Sequence, residues 1–286
     1  MKGSLKIERL SLKRDLNGIV ELHRSELSDQ KSLPNDNDLK GWFNLGGPWL
    51  AKELAQSYLK TMLKCNAAIL VGYLEGRLVG EIEIEPIDEK NAYLAIINIH
   101  NSLQGSGLGK NMLLHAFAFL RKRGFLKLIT MPESHALGFY ANLGFQKNLT
   151  RYEVSQDSQD ETTHQLWQEE NKIPGENILN LGNNQPPIHH HNQFHMSYPK
   201  LIGKKSAAPF IWKNRDAPIW LGFSGEDKSN PAWSFLWGEA PSDWVRLFNE
   251  RAFQMGYPGW FSFCGEKHLG SLSPVDQVEW WEKRLD

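Results

Sequence analysis

Cysteine is nearly absent from this chain: Cys65 and Cys264 are the only two in 286 residues. Two thiols so far apart suggest neither a disulfide framework nor a CxxC site, so a reducing cytoplasm is the expected compartment. An excess of either charge is also missing. Lys and Arg total 32 against 33 Asp and Glu, a net charge of -1, so the overall balance calls for neither nucleic acid nor an anionic membrane as partner. No apolar run approaches the roughly 20 residues of a membrane span. The opening segment, residues 1–23, is charged throughout and lacks the apolar stretch of a signal peptide. The expectation is a protein neither exported nor inserted. What is present is enough apolar material for a full core, in a length between one large domain and two ordinary ones.

Residues 5–12 read as a strand, and residues 13–27 carry Leu16, Ile19, Val20 and Leu27 at helical spacing. Residues 28–49 form a polar connection punctuated by Gly and Pro, and 50–65 a second amphipathic helix. Two apolar runs around Glu75 and Gly76 signal a hairpin over 67–87, and 92–100 reads as a third strand of that sheet. A helix over 110–124 closed by Gly124, a strand over 125–131 and a helix over 133–144 closed by Gly144 complete the series. The order βααβββαβα predicts an α/β (α+β) domain over residues 1–155 with a mixed, mostly antiparallel sheet flanked by helices.

Between the third strand and its helix stand Gly105, Ser106, Gly107 and Gly109. A glycine-rich loop leaving a strand and entering a helix gathers backbone N–H groups, unobstructed by side chains, at the positive end of the helix dipole. That geometry suits a phosphate or pyrophosphate, although glycines alone are equally consistent with a tight turn. The spacing is neither the GxGxxG of a dinucleotide fold nor the GxxxxGK[ST] of a P-loop. The run "INIHNSLQGSGLGKNML" resembles the Q/RxxGxG/A motif of the GCN5-related N-acetyltransferase (GNAT) family, and "ALGFYANLGF" (136–145) resembles the later signature of that family. The resemblance covers about residues 4–150. It implies acetyl-CoA as acyl-donor cosubstrate, with Gln104, Gly105, Ser106, Gly107, Leu108, Gly109 and Lys110 around its pyrophosphate. It also implies that Ile97, Asn98 and Ile99 lie beside the pantetheine arm, which would pair with strand-edge backbone as an added strand does. The family commonly has Pro where this chain has Asn101, and Asn where it has Glu133, a change at a position expected to contact pantetheine.

Acyl transfer from a thioester to an amine needs a neutral amine, a polarised carbonyl and a proton for the departing thiolate. The resemblance makes Tyr140 the candidate general acid, against a plain packing role, and strand backbone near Ile99 the candidate polarising group. Glu81, Glu83 and Glu85 alternate with Ile82 and Ile84, so the three carboxylates share one face of a strand. Such a face suits either attraction of a cationic amine or simple solvation. Glu83, the middle one, stands as candidate base, with nothing that sets it apart from its neighbours. His100 is a further candidate for proton relay, or an incidental loop residue.

The rest of the chain divides into a polar linker over 156–172 and a second unit over 173–286. His189, His190, His191 and His195 cluster beside Pro186 and Pro187 with no acidic or Cys partner nearby, and no metal site is assigned there. A hairpin and strand over 209–240, a helix over 242–256 closing at Gly256, a strand over 259–264 and a helix over 275–285 repeat the order of residues 67–144. We read this as a smaller, degenerate GNAT-like α/β domain. Its "APSD" segment (240–243) stands where the first unit has its glycine loop, so it lacks the phosphate cradle. Trp212, Trp220, Trp233, Trp237, Trp244, Trp260, Trp280 and Trp281 lie in this half, as core or as walls of an acceptor pocket. The function expected is acetyl-CoA-dependent N-acetyl transfer to a small, cationic primary amine by direct attack on the thioester. The alternative is a noncatalytic acyl-CoA-binding or regulatory protein on the same scaffold. A longer acyl donor and any oligomeric state stay open.

Overall fold

The computed structural model describes residues 4–160, 167–170, 210–215, 220–224, 229, 231–237 and 242–285. The chain divides into two units, residues 1–146 with 282–286, and residues 147–281.

In the first unit β1 (Lys6–Arg9) pairs antiparallel with β2 (Ala68–Leu74). The chain between them forms α1 (Leu12–Arg24), α2 (Leu39–Gly46) and α3 (Lys52–Lys64). At the start of α1 the Asp15 carboxylate accepts the Ser11 N–H at 2.7 Å, satisfying a donor that the first helical turn leaves without a partner. Three helices therefore precede the hairpin, where the sequence pattern gives two. The 28–49 stretch hides α2 because Gly41 and Gly46 lie inside it. Gly41 is needed there: Asp38 caps the helix by accepting the Gly41 N–H at 2.8 Å, and a Cβ at 41 would stand 2.3 Å from that carboxylate. Trp42 anchors the helix, buried beneath the Arg24 guanidinium at 4.0 Å.

The hairpin turns at Glu75 and Gly76, both at positive φ (52° and 81°), and leads into β3 (Arg77–Pro86). β4 (Asn91–Ile99) follows antiparallel to β3, then α4 (Leu108–Lys122), β5 (Lys127–Thr130) parallel to β4, and α5 (Leu137–Asn142). The sheet order is β1-β2-β3-β4-β5. Successive β3 residues face opposite ways. A Cβ at Gly80 would meet Met112 of α4 at 2.4 Å, and Ile82 and Ile84 share that face. The other face carries Glu81, Glu83 and Glu85 toward α1 and α3, and all three are buried. Residues 282–286 also belong to this unit: Lys127 pairs with Glu282 at 2.8 Å, and the Leu285 N–H donates to the Leu126 carbonyl.

In the second unit β6 (Gln146–Asp157) pairs antiparallel with β11 (Gly259–Gly265), and β11 runs parallel to β10 (Ala232–Trp237). β10 pairs antiparallel with β9 (Trp220–Ser224), β9 with β8 (Phe210–Asn214), and β8 with β7 (Trp167–Glu170). The helix α6 (Trp244–Gln254) joins the two parallel strands. Strands β8, β9 and β10, helix α6 and strand β11 thus repeat the order and pairing senses of β2, β3, β4, α4 and β5. Two expectations change here. Residues 156–157 and 167–170, inside the stretch read as linker, are strand. Of residues 275–285, read as a helix, 275–284 lie within β12 (Pro274–Arg284), next to β6 in the sheet. Their spacing also suits a helix, but Val and Trp favour a strand, and sheet pairing satisfies backbone groups that an eleven-residue helix would barely hold. Trp244, Phe248 and Trp260 form the core of this unit at ring separations of 5.0 to 5.6 Å, with the Trp260 indole donating to Asn249 at 2.7 Å. Trp280 is buried under the Arg151 guanidinium at 4.7 Å. The side chains of Trp212, Trp220, Trp233 and Trp237 and the whole His189 to His195 cluster lie outside the described residues.

Candidate active site

The site begins with an irregularity in β4. Glu83 pairs with Ile96 while Ile84 pairs with Leu94, so Ala95 is an extra residue, a β-bulge. Pairing with β5 runs from Asn91 to Leu94 and stops there. Beyond the bulge β4 parts from β5, and a cleft of about 810 Å³ opens between Ala95 to Ile99 on one strand and Thr130 to Glu133, the end of the other strand and the residues after it. Strand-edge backbone borders the opening.

One end of the cleft is the glycine loop. Gly105 and Gly107 hold positive φ (73° and 85°), Gly107 as N-cap of α4. A Cβ at either would meet nothing within 4 Å, so bare backbone faces open space. The first N–H groups of α4 have no carbonyl one turn earlier to bond, and they converge where the helix dipole is positive. The loop fits a pyrophosphate on these grounds. Gln104 is tied back to the Ile99 carbonyl at 3.2 Å, and the Ser106 hydroxyl donates to the Leu103 carbonyl. Of the residues implied for the coenzyme, Ile97, Asn98, Ile99, Gln104, Gly105, Gly107, Leu108, Gly109, Lys110, Glu133 and Tyr140 line the cleft, and Ser106 does not. Tyr140 is buried between Phe139 and Phe145 at ring distances of 5.2 and 5.3 Å and still reaches the cleft wall. Burial pushes its phenol up to about 12, so it holds its proton at neutral pH.

The other end is built from His23, Glu26, Gly46 and Trp49. His23 stacks on Trp49 at 5.2 Å; its Nε2 lies 2.8 Å from Glu81 Oε2, and its Nδ1 lies 3.2 Å from Asn98 Nδ2. Behind them Glu83 accepts the Trp49 indole N–H at 2.9 Å and the Tyr58 hydroxyl at 2.7 Å. Glu83 is fully buried and does not line the cleft, so it cannot touch an acceptor directly. It positions Trp49 instead. His100 is turned away as well, toward Arg77 at 2.9 Å and Ser102 at 3.0 Å. His23, Trp49 and Tyr58 escape a motif-based reading. One signal for His23 was available, because it extends the Leu16, Ile19, Val20 stripe of α1 at the next helical step.

Burial raises Glu81 and Glu83 to about 8, the neighbouring Glu81 charge adding to Glu83, and lowers His23 to about 4. A carboxyl raised on folding binds its proton more tightly in the native state than in the unfolded chain. Its stabilising effect is therefore present below its unfolded value and lost as pH climbs through about 8. The melting temperature should fall between pH 5 and 8. Glu83→Gln should melt lower, since Trp49 and Tyr58 donate to different carboxylate oxygens and the NH2 that replaces one of them cannot accept, but with a flatter pH dependence. An unchanged slope in calorimetric scans would show that Glu83 is not protonated in the folded protein.

A strand pair that parts at a bulge, with a glycine loop leading into a helix, leaves an opened sheet whose geometry suits an anionic ligand. Residues 33–145 match the model of the acetyltransferase (GNAT) family, so the N-terminal part of this chain is similar to a GNAT domain. Among solved structures, a GCN5-related N-acetyltransferase from Anabaena variabilis is similar at TM-score 0.64 and 11% identity, covering 99% of this chain and 73% of that one. A protein from Pyrococcus horikoshii provisionally named an acetyltransferase gives TM-score 0.63 and 14% identity over 99% and 90%. A tandem GNAT protein from the clavulanic acid biosynthesis pathway gives 0.55 and 12% over 99% of each chain. The likeness in fold therefore extends through the second unit. No curated protein sequence matches this one closely enough to be counted a relative.

Proposed function

We propose that the protein is an acetyl-CoA-dependent N-acetyltransferase acting on a small, cationic primary amine by direct attack on the thioester. The observation that carries this is a continuous cleft, which joins the phosphate-suited glycine loop to a polar pocket whose lining includes the Glu26 carboxylate. In this reading the backbone of Gly105 to Lys110 holds the pyrophosphate, the free edge of β4 holds the pantetheine arm, and Tyr140 protonates the departing thiolate. Glu26 and the aromatic face of Trp49 suit an ammonium-bearing acceptor. Release of free coenzyme thiol from acetyl-CoA, followed with spermidine, tyramine and glucosamine, tests it. Release that depends on one of these amines is expected. Binding of acetyl-CoA without such release would favour the noncatalytic alternative.

Each chain should bind one acetyl-CoA, because a glycine nest is present in the first unit and "APSD" (240–243) offers none in the second. Isothermal titration should give a stoichiometry near one. Two equivalent sites would assign a coenzyme to the second unit as well.

A further inference from the structure

Three side chains at the end of the cleft away from the glycine loop form a connected chain that the coenzyme reading leaves without a use. His23 lies between Glu81 at 2.8 Å and Asn98 at 3.2 Å, and both His23 and Asn98 line the cleft. Asn98 is 6% exposed, and its Oδ1 has no hydrogen-bond partner among the described residues; the same is true of Glu81 Oε1. A buried, unpartnered amide oxygen on a cleft wall is costly unless a donor arrives to meet it. Register explains the grouping: Glu81 pairs directly with Asn98 across β3 and β4, so both side chains leave the same face, toward the end of α1 that carries His23.

We infer that His23, oriented by Glu81, accepts the proton from the acceptor amine, and that Asn98 Oδ1 holds the second hydrogen of that amine. This rests on the N-acetyltransferase reading above. With Glu81 ionised, His23 donates from Nε2 to the carboxylate and keeps a lone pair on Nδ1, the nitrogen that now faces the Asn98 amide. An incoming amine, neutral after giving its ammonium proton to solvent, takes the place of that amide N–H. The nitrogen lone pair forms the C–N bond to the acetyl carbonyl carbon, and the C–S bond breaks with its electron pair leaving on sulfur. The proton lost from nitrogen goes to His23 Nδ1, and the sulfur takes a proton from Tyr140. Transfer of one proton from His23 to the Tyr140 phenolate, through solvent, restores both groups. The arrangement has the logic of a carboxylate that fixes an imidazole tautomer for base catalysis.

The groups facing His23 are Glu81 and Glu83 from β3, Asn98 from β4, Trp49 from the turn before α3, and the Glu26 charge from the turn after α1. Burial holds Glu81 protonated up to about 8, so the form with a free Nδ1 lone pair grows as pH rises through that value. The turnover number at saturating amine should therefore rise through an apparent pKa near 8.

The test uses the full chain, acetyl-CoA, and whichever of spermidine, tyramine or glucosamine the wild type turns over. His23→Gln should lower kcat by about 100-fold or more while titration calorimetry shows acetyl-CoA affinity unchanged. Asn98→Ala should raise KM for the amine with a smaller effect on kcat. Glu81→Gln, which keeps a bond to the ring but removes the charge, should move the acidic limb of the kcat profile to lower pH. A folded His23→Gln protein with wild-type kcat overturns the assignment and leaves the N-acetyltransferase reading standing. If that variant does not fold, an acidic limb unmoved by Glu81→Gln, or an amine KM unmoved by Asn98→Ala, overturns it. Absence of amine-dependent thiol release by the wild type overturns both.

Discussion

Gly107→Glu should abolish acetyl-CoA binding while the chain still folds. Gly107 sits at φ 85° as N-cap of α4, and a Cβ there would project into open space on the cleft wall. The substitution places a carboxylate where the helix N-terminus would otherwise meet a pyrophosphate, replacing attraction by repulsion and blocking the approach of phosphate to backbone. The left-handed backbone costs a non-glycine residue about 1–2 kcal/mol, so melting should drop by a few degrees without loss of the cooperative transition. Gly107→Ala separates the two effects, because it carries the same backbone strain with neither bulk nor charge. An affinity loss of about 100-fold or more for Glu and a small one for Ala, read by calorimetry, is expected. Wild-type affinity in a folded Gly107→Glu protein would remove the glycine loop from the coenzyme site.

Tyr140→Phe should lower turnover by about 100-fold with near-normal acetyl-CoA binding. The ring is held by Phe139 and Phe145, and phenylalanine keeps those contacts, so what disappears is the hydroxyl. That hydroxyl is protonated across the physiological range because burial raises it to about 12. A thiolate leaving beside it meets a donor in the right state. Single-turnover measurements, where chemistry limits the rate, decide the matter. An unchanged rate constant would leave Tyr140 a packing residue.

Glycine chemistry made much of the first unit legible. Gly76, Gly124 and Gly144 all adopt positive φ at the turns their positions suggest, as do Gly105 and Gly107 in the loop. These are local demands, and a residue without Cβ announces them. The elements that escaped depend on partners elsewhere in the chain. Helix α2 forms despite two internal glycines because its Asp38 cap needs the space at Gly41 and because Trp42 is buried. Residues 274–284 carry a helical spacing and are strand, since they take a place beside β6. The bulge at Ala95 that opens the cleft is a mismatch between two strands, and neither strand alone records it.

Alternation by itself determined that Glu81, Glu83 and Glu85 share a face, because side chains on a strand reverse at every residue. Whether that face meets water was decided only when α1 and α3 packed over it. Packing brought Tyr58 from 25 positions away and Trp49 from 34 to satisfy Glu83, and His23 from 58 positions away to meet Glu81. Periodicity encodes the direction of each side chain relative to its own backbone. The neighbours that set its charge, partners and access come from segments distant in sequence, and tertiary structure alone puts them in place.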